Sequence, residues 1–299
     1  MRIRGVLIED TFAEAFTMRA ARLVITARNA RWAREAALKL TGFATSVIGC
    51  KCEAGIERQL SAAESPDGRP GVSVLLFAFD REGVEKRAVE RVGQCVLTCP
   101  TTACYDGLPG EEERIDVGGQ LRYFGDRFQI SKVIDGRRYW RIPVMEGEFL
   151  VEETFGVREA VGGGNFLILA EDADAGLEAG EAAVEAMERL PEVILPFPGG
   201  IVRSGSKVGS RHYSLKATTN DAYCPTLRAL VESALPEGVN SVLEIVIDGM
   251  GLEQVRAAMR AGIPAACRPG VRAITAGNYG GKLGQHLLHL REILEWTSG

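Results

Sequence analysis

The stretch Phe197–Ser210 reads FPGGIVRSGSKVGS. Gly199, Gly200, Gly205 and Gly209 free its backbone to turn tightly or to approach a ligand closely. Ser204, Ser206 and Ser210 add hydroxyls, and Arg203 and Lys207 add positive charge. A run of this kind predicts a loop whose N–H groups and cations hold an anionic or heteroaromatic ligand; the alternative is a solvated turn. The order G-S-K-V-G-S is not a Walker phosphate loop. His212 follows closely and is a candidate ligand contact. A second small-residue stretch, GQCVLTCPTTA, ends in Pro100, Thr101 and Thr102. Pro100 excludes a helix there, which leaves the two threonines free to face a ligand or a neighbouring subunit.

One carboxylate stands out. Ser73–Gly83, SVLLFAFDREG, aligns without gaps on Ser241–Gly251, SVLEIVIDGMG, and Glu244 falls where the first copy has Leu76. A carboxylate among apolar strand neighbours costs on the order of several kcal/mol unless it is paired or neutral. Glu244 is therefore expected to have a pKa raised by desolvation and to be a departure with a purpose. The competing expectation is an edge strand, with Glu244 in water or beside an arginine.

Other constellations are weaker. His286 and His289 lie in KLGQHLLHLREILEW, where the leucine spacing predicts a packing helix and no third metal ligand is in view. The seven cysteines form no Cys-x-x-Cys pair, so the pattern fits neither a zinc nor an iron–sulfur site; Cys95 and Cys99 read as core thiols. Gly162–Gly164 lacks the G-x-G-x-x-G context of a dinucleotide fold, and no G-x-S-x-G elbow occurs.

The elements that must position these residues follow from periodicity. RIRGVLIED, RLVITA, FATSVIGC and VSVLLFAF read as strands, with an amphipathic stretch over Thr11–Ala20. Helices are expected at Ala30–Leu40, capped by Asn29 and stopped by Thr41-Gly42, and from about Glu82 to Val92. SPDGRPG is a turn. RYFGDRFQI and RRYWRIPV suggest a hairpin excursion, after which NFLILAED and a helix around Ala175–Leu190 restart the pattern. The sequence thus predicts an α+β fold of two similar lobes, 1–145 and 146–299, each a mainly antiparallel sheet backed by helices in a ferredoxin-like, split β-α-β manner.

The bulk properties set limits. A formal charge of −5 over 299 residues argues against nucleic acid as the main partner. No apolar run reaches the length of a membrane span and the N-terminus lacks a secretory core, so a cytoplasmic location is expected.

The blocks GVLIEDTFAEAF, TGFATSVIGCKCEAGIE, SPDGRPG, RVGQCVLTCPTTA, GGGNFLI and FPGGIVRSGSKVGS resemble the formylmethanofuran:tetrahydromethanopterin formyltransferase family, from the first residues to about Cys267. The resemblance implies transfer of a formyl group between the amine of methanofuran and N5 of tetrahydromethanopterin in C1 metabolism. It implies no tightly bound cofactor or metal, the two carriers being substrates, and a homodimer or homotetramer or a place in a formyltransferase/hydrolase complex. A non-catalytic subunit of such a complex is the alternative. The Arg-rich composition leans towards a methylotrophic bacterium. Under this resemblance Glu244 is the expected proton carrier and Ser206 or loop N–H groups face the formyl oxygen. Gly199, Gly200, Ser204, Gly205 and His212 contact the carriers, and Arg203, Lys207 and Pro100–Thr102 steer their anionic tails.

Overall fold

The computed structural model describes residues 1–295. Packing divides the chain into two units, Met18–Ala160 and the combination of Met1–Thr17 with Val161–Gly299. The sequence reading draws its single boundary near 145; packing instead groups the first seventeen residues with the C-terminal part. The reason is strand pairing: Leu7 and Ile8 lie parallel to Ala273 and Ile274.

In the unit Met18–Ala160, the central strand is the later part of Phe12–Thr26. It pairs antiparallel with Gly71–Ala78 on one side and Ala103–Asp106 on the other. Glu53–Leu60 completes the sheet beside Gly71–Ala78. The helices Ala30–Thr41 and Arg81–Arg91 cover one face, where Leu23, Ile25, Val74 and Leu76 meet Ala33, Ala36, Leu40 and Val84. Each helix starts at a side-chain cap: Asn29 Oδ1 accepts the Trp32 N–H and Asp80 Oδ1 the Gly83 N–H, bonds worth about 1 kcal/mol apiece. Gly147–Glu152 lies parallel beside Ala103–Asp106 and carries the hairpin Ile130–Ile134/Arg137–Val144.

The C-terminal unit repeats the plan. Arg158–Ala170 contributes its central strand, flanked antiparallel by Ser241–Gly249 and Val271–Thr275, with Val193–Ile194 outside Ser241–Gly249. The helices Ala173–Met187 and Leu252–Ala266 cover one face over Phe166, Ile168, Ile245, Ile247 and Ile274. Both units therefore have the β-α-β-β-α-β order and antiparallel sheet of a ferredoxin-like lobe, as the sequence predicts. Among the described residues no helix is long and apolar enough to cross a membrane.

Three local expectations change. FATSVIGC holds a short helix, Val47–Cys50, ended by Lys51 in the left-handed region, and the strand begins only at Glu53. Thr11–Ala20 is not a separate amphipathic element, since from Phe12 it belongs to the long strand. The segment read as a packing helix around His286 and His289 is a strand, His286–His289, antiparallel to Phe12–Ala15, followed by the helix Leu290–Glu295. The edge of a long strand, with ladder groups to satisfy, overrides a leucine spacing that also fits a helix. Trp296 lies outside the described residues.

The alignment that pairs Leu76 with Glu244 is also out of register. Asp80 and Gly251 cap the two second helices, and the same count back from each reaches Ser73 and Glu244. Leu76 packs under the helices, whereas Glu244 belongs to the alternate set from Ile245 and Ile247, which do so. With a side-chain period of two, an odd offset moves every residue to the opposite face.

Gly162–Gly164 has a packing role. A bulge between Val161 and Gly164 interrupts the pairing with Ser241–Gly249, Gly163 adopts φ +80°, and a Cβ on Gly164 would meet Val255 Cγ1 at 2.3 Å. Gly164→Ala is expected to destabilise the protein by about 1–3 kcal/mol through overpacking. Thermal unfolding checks this, and Val255→Ala in the same chain should recover part of the loss.

Candidate active site

Alternation along Ser241–Gly249 sends Ile245 and Ile247 into the helix-covered core. Val242 packs on the opposite face with Leu167, Leu169, Ala273, Leu235, Val239 and Tyr223. Glu244 lies on that opposite face. It is not on an edge: it stands opposite Leu167 in the ladder, and on its other side it exchanges backbone hydrogen bonds with Val202 at 2.8 and 2.9 Å.

Among the described residues no α-helix covers this face. It is roofed by the chain from Val202 to Leu235, which contains only a short hairpin, Ser206–Val208/Ala217–Thr219, and two turns of 3-10 helix. Between roof and sheet lies a cavity of about 680 Å³, lined by Glu244, Leu167, Arg203–Ser206, Ala217–Asn220 and Tyr223–Thr226. Glu244 retains some exposed surface because this cavity is open to water, yet protein surrounds it on its other sides. Among the described residues no ion pair or side-chain hydrogen bond compensates it. Burial accordingly pushes its carboxyl up to about 7, so that it both accepts and releases a proton near neutrality.

The structure brings together part of the predicted set. Arg203, Ser204, Gly205 and Ser206 share the cavity with Glu244, and Gly205 has φ +51°. Lys207 turns to Asp221, its ammonium 2.5 Å from the carboxylate, with Arg211 at 3.1 Å; these cations hold the Asp221 carboxyl below its ordinary value. The ion pair ties one hairpin strand to the turn that follows the other, and Lys207 is absent from the cavity lining. Gly199 and Gly200 form a turn at φ +61° and +74°. A Cβ on Gly200 would meet Val184 Cγ2 at 2.8 Å, so that glycine serves packing. His212 is exposed at the far end of the roof, its N–H bonded to Ser210 Oγ, and does not line the cavity.

Pro100, Thr101 and Thr102 belong to the other unit. Thr101 and Thr102 border a separate cavity of about 430 Å³ with Arg28, Arg69, Glu146 and Glu148. Thr102 is committed to the backbone, its hydroxyl donating to the Val96 and Cys99 carbonyls. Thr101, at φ +65°, donates its N–H to Glu146 and accepts the Arg28 N–H. Burial pushes the Cys95 and Cys99 thiols up, which makes poor nucleophiles of them. His286 and His289 are divided between different partners, Thr17 Oγ1 at 3.0 Å and the ring of Phe12 at 5.2 Å.

Sequence reasoning missed the second half of the roof, ATTNDAYCPT, whose small hydroxylated residues were the available signal. Thr218, Thr219, Asn220 and Tyr223 line the cavity, and the Cys224 thiol there lies 3.3 Å from Thr219 Oγ1.

A ferredoxin-like pair of lobes, with a cavity lined by a buried carboxyl, hydroxyl-bearing residues and an arginine, has groups suited to group transfer. The model of formylmethanofuran-tetrahydromethanopterin formyltransferase matches residues 1–144, and that of the proximal lobe of the same enzyme matches 147–293. The chain belongs to this family. It is 61% identical over 298 residues to the formylmethanofuran–tetrahydromethanopterin formyltransferase of Methylococcus capsulatus, covering 98% of this chain and all of that one. The formyltransferase/hydrolase complex of Methylorubrum extorquens, solved with methylofuran, contains a chain superimposing with a TM-score of 0.95 at 51% identity, covering 99% of each. The formyltransferase of Methanosarcina barkeri superimposes at 0.92, also at 51% identity, over 98% of this chain and all of that one.

The raised pKa of Glu244 has a consequence for stability. A carboxyl at about 7 when folded and near its ordinary value when unfolded binds more protons in the folded state. Stability is then greatest below the unfolded pKa and falls as pH rises through 7. Glu244→Gln is expected to be more stable than the parent at pH 8, by up to about 3 kcal/mol, with the gain shrinking towards pH 4.5. Denaturant unfolding at the two pH values checks the sign.

Proposed function

We propose that this chain catalyses transfer of a formyl group between the amine nitrogen of a methanofuran-type carrier and N5 of tetrahydromethanopterin. Full-length membership of the formyltransferase family supports this, together with the single observation that carries the chemistry, an unpaired carboxyl at about 7 inside a polar cavity. The accepting nitrogen attacks the formyl carbon and a tetrahedral oxyanion forms. The C–N bond to the donor nitrogen then breaks as that nitrogen takes up a proton. Glu244 accepts the proton that the attacking nitrogen loses and returns one to the departing amine. The Ser206 hydroxyl and loop N–H groups are the donors for the oxyanion, and Arg203 meets an anionic part of a carrier. Lys207, already paired, acts by holding the roof.

Subunit association belongs to the same proposal. Phe124, Phe128, Ile130, Val133 and Ile134 are each exposed on the hairpin Ile130–Ile134/Arg137–Val144 and the turn before it, with Ile130 and Ile134 on one face of their strand. An apolar surface of that kind is suited to a subunit contact, either with further copies of this chain or within a complex like that of Methylorubrum extorquens.

The test is formyl exchange by the purified protein between the two carriers, followed through the pterin absorbance. Turnover by the protein alone is expected, with kcat/KM falling on the acid side of about pH 7 as Glu244 is protonated. No exchange would favour a subunit that needs partners to complete its site. Glu244→Gln is expected to lower kcat by about 10²–10⁴-fold and to abolish the acid limb. Arg203→Ala is expected to raise the KM of one carrier with kcat largely retained, the mark of lost uniform binding.

A further inference from the structure

Ladder register gives Glu244 an apolar neighbour on each side. Leu167 stands opposite it on the strand Arg158–Ala170, and Val202 opposite it on the other flank. Val242, two residues back along its own strand, takes the same face. Leu167 and Val202 are 4% and 5% exposed, and all three side chains line the cavity with Glu244. The carboxyl is therefore set in an apolar wall, whereas Ser204, Ser206 and Asn220 give other parts of the lining polar groups. An apolar wall with a few polar groups around it suits a planar heterocycle, whose faces are apolar and whose edge carries nitrogen and oxygen.

Tyr223 extends that wall. It is half-buried and packs in one cluster with Leu167, Val242 and the core residues Leu235 and Val239. Among the described residues that line the cavity it is the one aromatic. The turn that carries it is tied down on both sides. Within the 3-10 turn Asp221–Tyr223 its N–H donates to the Asn220 carbonyl at 3.0 Å, and the Ala222 carbonyl accepts the Ala234 N–H at 2.9 Å. The Asp221 carboxylate is paired with Lys207 and Arg211. A side chain already ordered in this way loses little freedom when a ligand packs on it, and aromatic pairs gain from offset or edge-to-face contact beyond the area that they bury.

The two carriers differ in how near their rings must come to Glu244. N5 of tetrahydromethanopterin is itself a ring atom, so the bicycle has to lie against whatever flanks the proton carrier. The amine of methanofuran hangs from the furan by a methylene, which lets the furan stand farther off. We propose that Tyr223 is a specificity-determining residue, whose ring, with Leu167 and Val242, receives the pterin bicycle and so sets the affinity for tetrahydromethanopterin and not that for methanofuran. This inference rests on the reading of the chain as a formyltransferase with Glu244 as proton carrier.

The experiment compares the full-length parent with Tyr223→Phe, which keeps the ring, and Tyr223→Leu, which removes it. Formyl exchange gives kcat and the KM of each carrier, and calorimetric titration with tetrahydromethanopterin alone gives its Kd without turnover, so that the titration decides even where exchange needs a partner subunit. Tyr223→Leu is expected to raise the Kd and KM for tetrahydromethanopterin about ten-fold, with the methanofuran KM and kcat largely retained, and Tyr223→Phe to behave as the parent. Tyr223→Met, whose flexible side chain fills the space left, takes the place of Tyr223→Leu should circular dichroism show that variant unfolded. A merely structural role would loosen the roof and raise both KM values together. That result, a rise confined to methanofuran, or an unchanged Kd for tetrahydromethanopterin in Tyr223→Leu overturns the assignment. An equal loss in Tyr223→Phe places the effect on the hydroxyl and overturns it too. A parent that neither exchanges formyl nor binds tetrahydromethanopterin overturns the formyltransferase reading, and this inference with it.

Discussion

A carboxyl desolvated without a counter-ion is unfavourable unless it takes up a proton, and the C-terminal unit leaves Glu244 in that state. The surrounding structure follows from the constraint. Interior ladder bonds to Leu167 and Val202 deny Glu244 the route to water that an edge strand would offer. The roof from Val202 to Leu235 encloses it without sealing it. Lys207 and Arg211 are paired with Asp221 and neither lines the cavity. A lysine paired with Glu244 would favour its ionised form and draw its carboxyl back towards the ordinary carboxylate range.

The two units make the same choice of scaffold and opposite choices about polar groups. Where the C-terminal unit has Glu244, the count from the helix cap reaches Ser73 in the other, a buried residue whose hydroxyl donates to Glu57 at 2.5 Å. Glu57 in turn takes a bidentate pair from Arg22 at 2.9 and 2.8 Å. That cluster is closed: its carboxylate is satisfied, and it has the character of a structural network. One unit thus carries the paired version of a polar sheet face and the other an unpaired version.

Glycine usage divides along similar lines. Gly164 and Gly200 are small because neighbouring side chains occupy the space a Cβ needs, and Gly205 accepts a left-handed φ within the cavity wall. A run of glycines in sequence does not distinguish these roles, since only packing shows whether a missing Cβ makes room for a side chain or a ligand.

Strand and helix alternation, the cap at Asn29, and a ferredoxin-like order repeated twice were legible in the sequence, because they depend on local periodicity and short-range hydrogen bonds. So was the oddity of Glu244, since a carboxylate within LEIVID contradicts its neighbours whatever the fold. The tertiary structure decided matters that depend on which face a residue takes and which distant group it meets. An odd shift in register made Ser73, not Leu76, the counterpart of Glu244. A free strand edge turned the His286 segment from helix to strand. Lys207 was claimed by Asp221, and ATTNDAYCPT was brought over the cavity. The buried Glu14 carboxylate accepts the N–H groups of Tyr279, Gly281, Leu283 and Gly284, more than 260 residues away in the chain. Such a contact leaves no local pattern, because the N–H groups that bind the carboxylate belong to the backbone and are the same in every residue but proline.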